Sequence, residues 1–146
     1  MIVPLLLAIA IRYWPGRTGH GLPEISNVLL VRTELRGPGA DAYVAPLMAA
    51  IRKSCDGVGN VRILPANDGP LPAIADDLAA AAGEHHADAL LVSAITTDAG
   101  LLEIDLQLLQ PNDRRTLWKD AYQSAQAQST DLIQYAAQGV RRALRP

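Results

Sequence analysis

The densest polar cluster in the chain is Glu84-His85-His86. Adjacent side chains on a helix project about 100° apart, so neighbouring imidazoles do not converge on one ion as an i, i+4 pair does. The residues read as a solvated turn where a helix gives way to a strand, with metal binding as the sharper alternative. Asp76-Asp77 is a helix-surface pair. Two carboxylates divide acid and base roles only when burial drives their pKa values apart. Cys55 is the single cysteine, so no disulfide forms within the chain, and Lys53 nearby gives only a weak case for a lowered thiol pKa. It reads as a free, partly buried thiol. Ser54, Ser93 and Ser124 lack the G-x-S-x-G setting of a nucleophile elbow. Gly37-Pro38-Gly39 and Gly57-Val58-Gly59 match neither phosphate-cradling glycine pattern. No catalytic, cofactor-binding or metal-ligating set emerges, and the chain is read as a non-enzyme without cofactors.

The elements that would carry these residues alternate. Asn27–Glu34 (NVLLVRTE) is a short branched apolar run, the pattern of a buried strand. Across 41–54, Val44, Leu47, Met48 and Ile51 fall on one helical face, with Pro46 requiring the helix to start or kink nearby. Val61–Leu64 is a second strand. Pro72 suits the first turn of a helix that places Ile74, Ala75, Leu78 and Ala82 on one side. Ala87–Thr97 is nearly continuous in apolar residues, as in a central strand covered on both faces.

Asp98-Ala99-Gly100 is a hairpin turn, and Leu101–Leu109 then alternates strictly. Leu102, Ile104, Leu106 and Leu108 take one face; Glu103, Asp105 and Gln107 take the other. Gln110–Asp113 turns into a third hairpin strand, Arg115–Tyr122, carrying Trp118 and Tyr122. The closing helix, 131–144, repeats apolar residues at Leu132, Ile133, Ala136, Ala137, Val140 and Leu144, with Ser129 or Thr130 as its cap. Its end carries Arg141, Arg142 and Arg145, which complement the helix dipole. The expected fold is α/β (α+β): order β-α-β-α-β-β-β-α, a mixed sheet of about five strands, helices mainly on one face.

The first fourteen residues stand apart. Met1–Ile11 (MIVPLLLAIAI) is apolar apart from Pro4, and Arg12, Tyr13 and Trp14 follow at once. A basic residue and two aromatics after an apolar run resemble the interfacial edge of a membrane span. The run itself is shorter than the roughly 20 residues a span needs and lacks a positive leading region. Three readings stay open: part of a transmembrane helix that begins upstream, a signal-like segment, or a helix packed on the domain or a partner. Residues 15–26 form a Gly/Pro linker, so three regions are expected: an anchor-like segment 1–14, the linker 15–26 and a domain over 27–146.

Composition narrows the class. Of 146 residues 49% are hydrophobic and 19% charged, which excludes a disordered chain. Asp and Glu number 15 against 13 Lys and Arg, which excludes a strongly basic nucleic-acid binder. No second apolar run approaches the length of a membrane span.

From Ala87 onward the chain resembles the amino-terminal domain of TolB and its relatives, which include envelope lipoproteins and extracytoplasmic domains of membrane-bound regulators. The resemblance is carried by ADALLVSAIT (Ala87–Thr96), LLEIDLQLLQPND (Leu101–Asp113), TLWKDAY (Thr116–Tyr122) and DLIQYAAQGVRRAL (Asp131–Leu144). NVLLVRTELRG (Asn27–Gly37) and VRIL (Val61–Leu64) match more loosely, and coverage runs from about 27 to 144. Arg32-Thr33 replace the family's Phe, Ala94 stands near its Gly, and Arg115-Thr116 replace the Gly before the Trp.

The resemblance implies a non-catalytic domain outside the cytoplasm that binds other proteins. The chain is accordingly read as a protein–protein interaction domain of the bacterial envelope, an assembly or sensory module. It is expected in the periplasm or elsewhere outside the cytoplasm, associated with the membrane through its N-terminus. Its partners would be other envelope proteins or a second copy, and not nucleic acid. Candidate interaction residues are Trp118, Tyr122, Glu103, Asp105 and Gln107; candidate membrane-interface residues are Arg12, Tyr13 and Trp14. The alternative is a small-ligand or nucleotide-sensing domain of a membrane-bound signalling protein.

Overall fold

The computed structural model describes residues 25–59, 61–64 and 78–145. Six strands form one mixed sheet: β1 (Asn27–Leu30), β2 (Glu34–Arg36), β3 (Arg62–Leu64), β4 (Ala89–Asp98), β5 (Leu101–Leu109) and β6 (Thr116–Ala125). Among the described residues three α-helices accompany them: α1 (Val44–Cys55), α2 (Leu78–His85) and α3 (Ser129–Leu144). The order across the sheet is β3-β1-β4-β5-β6, with β2 also beside β4. β4 is therefore central, as its apolar run predicts. β1 and β2 lie parallel to it along one edge, and β5 and β6 continue antiparallel from the other.

Crossover handedness explains where the helices sit. The chain steps outward from β1 to β3 through α1 and back over β1 to β4 through α2. Both connections join parallel strands, and both are right-handed only if their helices lie on opposite faces. The core divides accordingly. α1 and α3 share a large cluster with Leu30, Leu91, Ile95, Ile104, Leu108, Trp118 and Tyr122. On the other face, among the described residues, Ala82 of α2 joins a smaller buried cluster of Leu29, Val31, Leu90 and Leu109. The helices thus cover mainly one face, as the sequence predicts, with α2 capping one end of the other.

Several local details differ from the sequence reading. The strand expected over 27–34 is split in two, so the sheet has six strands. At the break, the buried hydroxyls of Thr33 and Ser93 form a 2.9 Å hydrogen bond, which removes the cost of leaving either polar group unpaired. A 3-10 turn over Ala40–Tyr43 precedes α1, and Pro46 falls in the first helical turn, where its missing N–H has no intrahelical partner to lose. The expected side-chain cap of α3 is not made: Gln128 is the N-cap, without a side-chain hydrogen bond, after a 3-10 turn over Gln126–Gln128. The last strand runs to Ala125 rather than Tyr122. Ile74, Ala75 and the Asp76-Asp77 pair lie outside the described residues, as do the anchor-like segment and the linker up to residue 24. Ile25, at the linker's end, is already part of the main core.

The β4–β5 turn carries positive φ at both central residues, Ala99 (49°) and Gly100 (83°), the geometry of a two-residue hairpin. α3 is held to β6 through Tyr122. That side chain meets Tyr135 edge to face, with ring centroids 5.7 Å apart at 88°. Its hydroxyl donates to Asp120 Oδ2 (3.1 Å) and packs against Gly139, in the space a Cβ would fill.

Substituting Gly139→Ala is expected to destabilise the domain by about 1–3 kcal/mol, the usual cost of overpacking. Thermal denaturation of Gly139→Ala, Tyr122→Phe and the double variant checks this. The double variant is expected to be more stable than the sum of the single losses, because removing the hydroxyl relieves the contact that the added methyl creates.

Candidate interaction surface

Strand register assembles one polar surface on the face opposite α1 and α3. Pairing sets Thr96 beside Glu103 and Glu103 beside Gln123; Ala94, Asp105 and Ala121 form the next row, and Val92, Gln107 and Lys119 the third. Side chains of paired residues share a face, so these three rows lie side by side. β2 extends two of them, with Glu34 beside Ala94 and Arg36 beside Thr96. Among the described residues α2 covers the end of this face formed by Leu29, Val31, Leu90 and Leu109, with Leu64, Ala87 and Val92 packed at its margin.

Glu103, Asp105 and Gln107 sit together on this surface, half-buried by their neighbours. Gln107 Nε2 donates to Thr116 Oγ1 at 2.9 Å, which steadies the amide across the β5–β6 pair. Glu34 and Arg36 form an exposed ion pair at 3.1 Å, a contact of little energetic weight that makes the β2 edge polar. Four residues here escaped the sequence reading: Lys119 and Gln123 on β6, and Glu34 and Arg36 on β2. The Lys119-Ala121-Gln123 alternation was the available signal for β6. For β2 there was none, because its short span was merged with β1.

Trp118 and Tyr122 do not belong to this surface. They point to the helix side of β6, beside Leu108 and Ile104, and are 4% and 1% exposed. An indole and a phenol at that depth fill core volume and offer no face to a partner. A bulge between Leu108 and Leu109 shifts the β5–β6 pairing next to Trp118. Arg12, Tyr13 and Trp14 lie outside the described residues.

The candidate chemical groups are also placed. His85 ends α2, and His86 leaves it with φ of 55°. Both imidazoles are exposed, while the His86 carbonyl accepts from Asn27 Nδ2 at 2.9 Å. The Asp88 carboxylate beside them accepts the backbone N–H groups of Ser26 (2.9 Å) and Asn27 (3.0 Å). That ties the start of β1 to the start of β4 and accounts for the polarity of the segment. Among the described residues no group of three His, Cys, Asp or Glu could hold a metal ion. Ser93 and Ser124 are buried, Ser93 against Thr33 and Ser124 donating to the Ala125 carbonyl.

Cys55 closes α1 inside the core, more deeply buried than the sequence suggests. Burial pushes its thiol up to about 11, and the nearby Arg141 pulls only part of the way back. Burial also raises the Tyr122 phenol well above its ordinary value, with the Asp120 carboxylate adding to the effect.

No family model matches the chain, and no curated protein matches it in sequence. Its fold is shared with solved structures at low identity. The PelC dodecamer from Paraburkholderia phytofirmans aligns with a TM-score of 0.61 at 14% identity, covering 91% of this chain and 97% of that one. TolB from Acinetobacter baumannii aligns at 0.58 and 12% identity, covering 93% of this chain but 30% of that one. The LpoB C-terminal domain from Salmonella enterica aligns at 0.52 and 14% identity, covering 76% of this chain and 89% of that one. The resemblance to TolB expected from the sequence therefore holds at the level of fold.

A thiol held neutral in the core reacts slowly. At pH 8 the native protein is expected to resist a disulfide reagent such as dithionitrobenzoate, and the urea-unfolded chain to react at least a hundredfold faster. The raised thiol pKa favours the folded state fully below pH 9 and loses that contribution as pH climbs through about 11. The Cys55→Ala variant should therefore lose less stability than wild type between pH 9 and 11 in urea titrations.

Proposed function

We propose that the chain is a non-catalytic protein–protein interaction domain of the bacterial cell envelope, acting outside the cytoplasm as an assembly or sensory module. The observation that carries this reading is the fold shared with PelC over nearly the whole of both chains, since that relative is a dodecamer. The alignments with TolB and the LpoB C-terminal domain support the same class, together with the TolB-like pattern running from Asn27 to Leu144.

The outer face of β4, β5 and β6 is the surface proposed to meet the partner, another envelope protein or a second copy. It is a rigid, paired sheet presenting Glu103, Asp105, Gln107, Lys119 and Gln123. Polar side chains on such a platform favour specific hydrogen bonding over indiscriminate apolar contact. No helix among the described residues is long and apolar enough to cross a membrane. Membrane association is assigned to the apolar segment ending in Arg12, Tyr13 and Trp14 on its interfacial residue pattern.

Cell fractionation and cross-linking test the reading. The protein is expected outside the cytoplasm, giving a discrete cross-linked adduct. Glu103→Arg with Gln107→Arg is expected to cut adduct yield at least tenfold and shift the melting temperature by no more than a few degrees, since both side chains point away from the core. Cytoplasmic fractionation, or undiminished cross-linking in the double variant, would defeat it.

A further inference from the structure

The net charge of −2 conceals a separation of charge along the sheet axis. α1 and α3 both return antiparallel to the strands they follow, so their C-terminal ends lie together; the Cys55 thiol at the end of α1 feels the charge of Arg141 near the end of α3. Strand register places three other features at this same end. Asn27 of β1 pairs with Arg62 of β3, Leu90 pairs with Leu109, and Leu109 pairs with Thr116 beyond the β5–β6 turn. The end therefore gathers Lys53 from α1, Arg62 from β3, Arg114 from the turn, and Arg141, Arg142 and Arg145 from α3, all exposed.

Among the described residues none of these six takes part in a salt bridge. Arg142 lies over the Tyr135 ring, 5.9 Å from its centre, with its charge still facing water. Of the described carboxylates at this end, Asp88 and Asp113 are turned to backbone N–H groups, leaving Asp56 and Glu84. The opposite end holds Asp41 and Asp131 in the first turns of their helices and Asp98 at the β4–β5 turn.

The chain enters the domain at the basic end. Ile25 is packed in the core, and the Ser26 carbonyl accepts from Arg62 N–H at 2.7 Å. Between Trp14 and Ile25 lie ten residues, which reach roughly 40 Å at most. The tether to any surface that takes up Met1–Trp14 thus joins the domain at its basic end. At such range weak attractions become effective, because the domain cannot diffuse away.

We propose that the basic end formed by the C-termini of α1 and α3 and by the β5–β6 turn docks on an anionic phospholipid surface and so orients the domain, acidic end outward. This rests on the membrane-association part of the reading above. Each Lys or Arg near an anionic bilayer strengthens binding by about fivefold, and salt screens the effect.

The test is co-sedimentation of the full chain with vesicles of phosphatidylcholine alone and with 30% phosphatidylglycerol, at low and high salt. Binding to the neutral vesicles reports the apolar segment; the increment on anionic vesicles reports the basic end, so the two readings can fail separately. The increment is expected to collapse in 0.5 M salt. Replacing Arg141, Arg142 and Arg145 by Gln is expected to lower it on the order of 100-fold without changing neutral binding or the folded circular-dichroism spectrum, whereas Arg36→Gln should leave it intact. Equal binding to both vesicle types, or an increment insensitive to the triple replacement, would overturn the proposal. So would loss of salt-sensitive self-association in the triple variant with vesicle binding unchanged, because the basic end would then meet the acidic end of a second copy.

Discussion

Pairing along both edges of β4 is the constraint on which the rest of the structure depends. One edge is shared end to end between β1 and β2, the other by β5. Because the β1 and β2 edge is parallel, the chain must return between strands through crossovers, and handedness then sends α1 and α2 to opposite faces. Because the β5 edge is antiparallel, a two-residue turn suffices there, and β5 and β6 add without further helices. The break between β1 and β2 shifts the register by one residue, from Leu30 beside Leu91 to Glu34 beside Ala94. The Thr33–Ser93 hydrogen bond satisfies the polar groups at that break.

This arrangement leaves the molecule with two unlike faces and two unlike ends. The helix face is closed by α1 and α3, with Tyr122 joining β6 to α3 across Gly139 and Tyr135. The other face is closed at one end by α2, while its remainder carries paired polar residues. Helix direction produces the difference between the ends: both long helices finish where β1 and β4 begin, and the basic residues suited to helix C-termini gather there. The same charges that look like isolated dipole complements along the chain become a shared feature once the helices run side by side.

Much of the fold was legible in the residues. The period of two over Leu101–Leu109 assigned each side chain to its face, and the helical spacing over Leu132–Leu144 assigned the buried side of α3, because both patterns repeat at the period of the backbone itself. What could not be read were decisions made by neighbours far along the chain. Asn27–Glu34 looks like one strand because its apolar content is continuous; only pairing with β4 shows that it is interrupted. Trp118 and Tyr122 sit in a strand whose two faces are both mixed, with Asp120 and Ser124 inward and Ala121 outward, so local alternation did not decide which way the aromatics point. Glu34 and Arg36 join the surface of Glu103 only through a partner strand some sixty residues later.

By itself, then, the sequence determined the class of fold, the order of its elements apart from the separate β2, the inward side of β5 and α3, and the TolB-like pattern, since each is written in short-range spacing. The tertiary structure alone decided that Trp118 and Tyr122 are core, that Cys55 is sealed beside Arg141, that β2 widens the polar face, and that six basic side chains share the end where the chain enters. Those properties depend on strand register and on helices lying side by side, and both bring together residues whose separation along the chain carries no local signal.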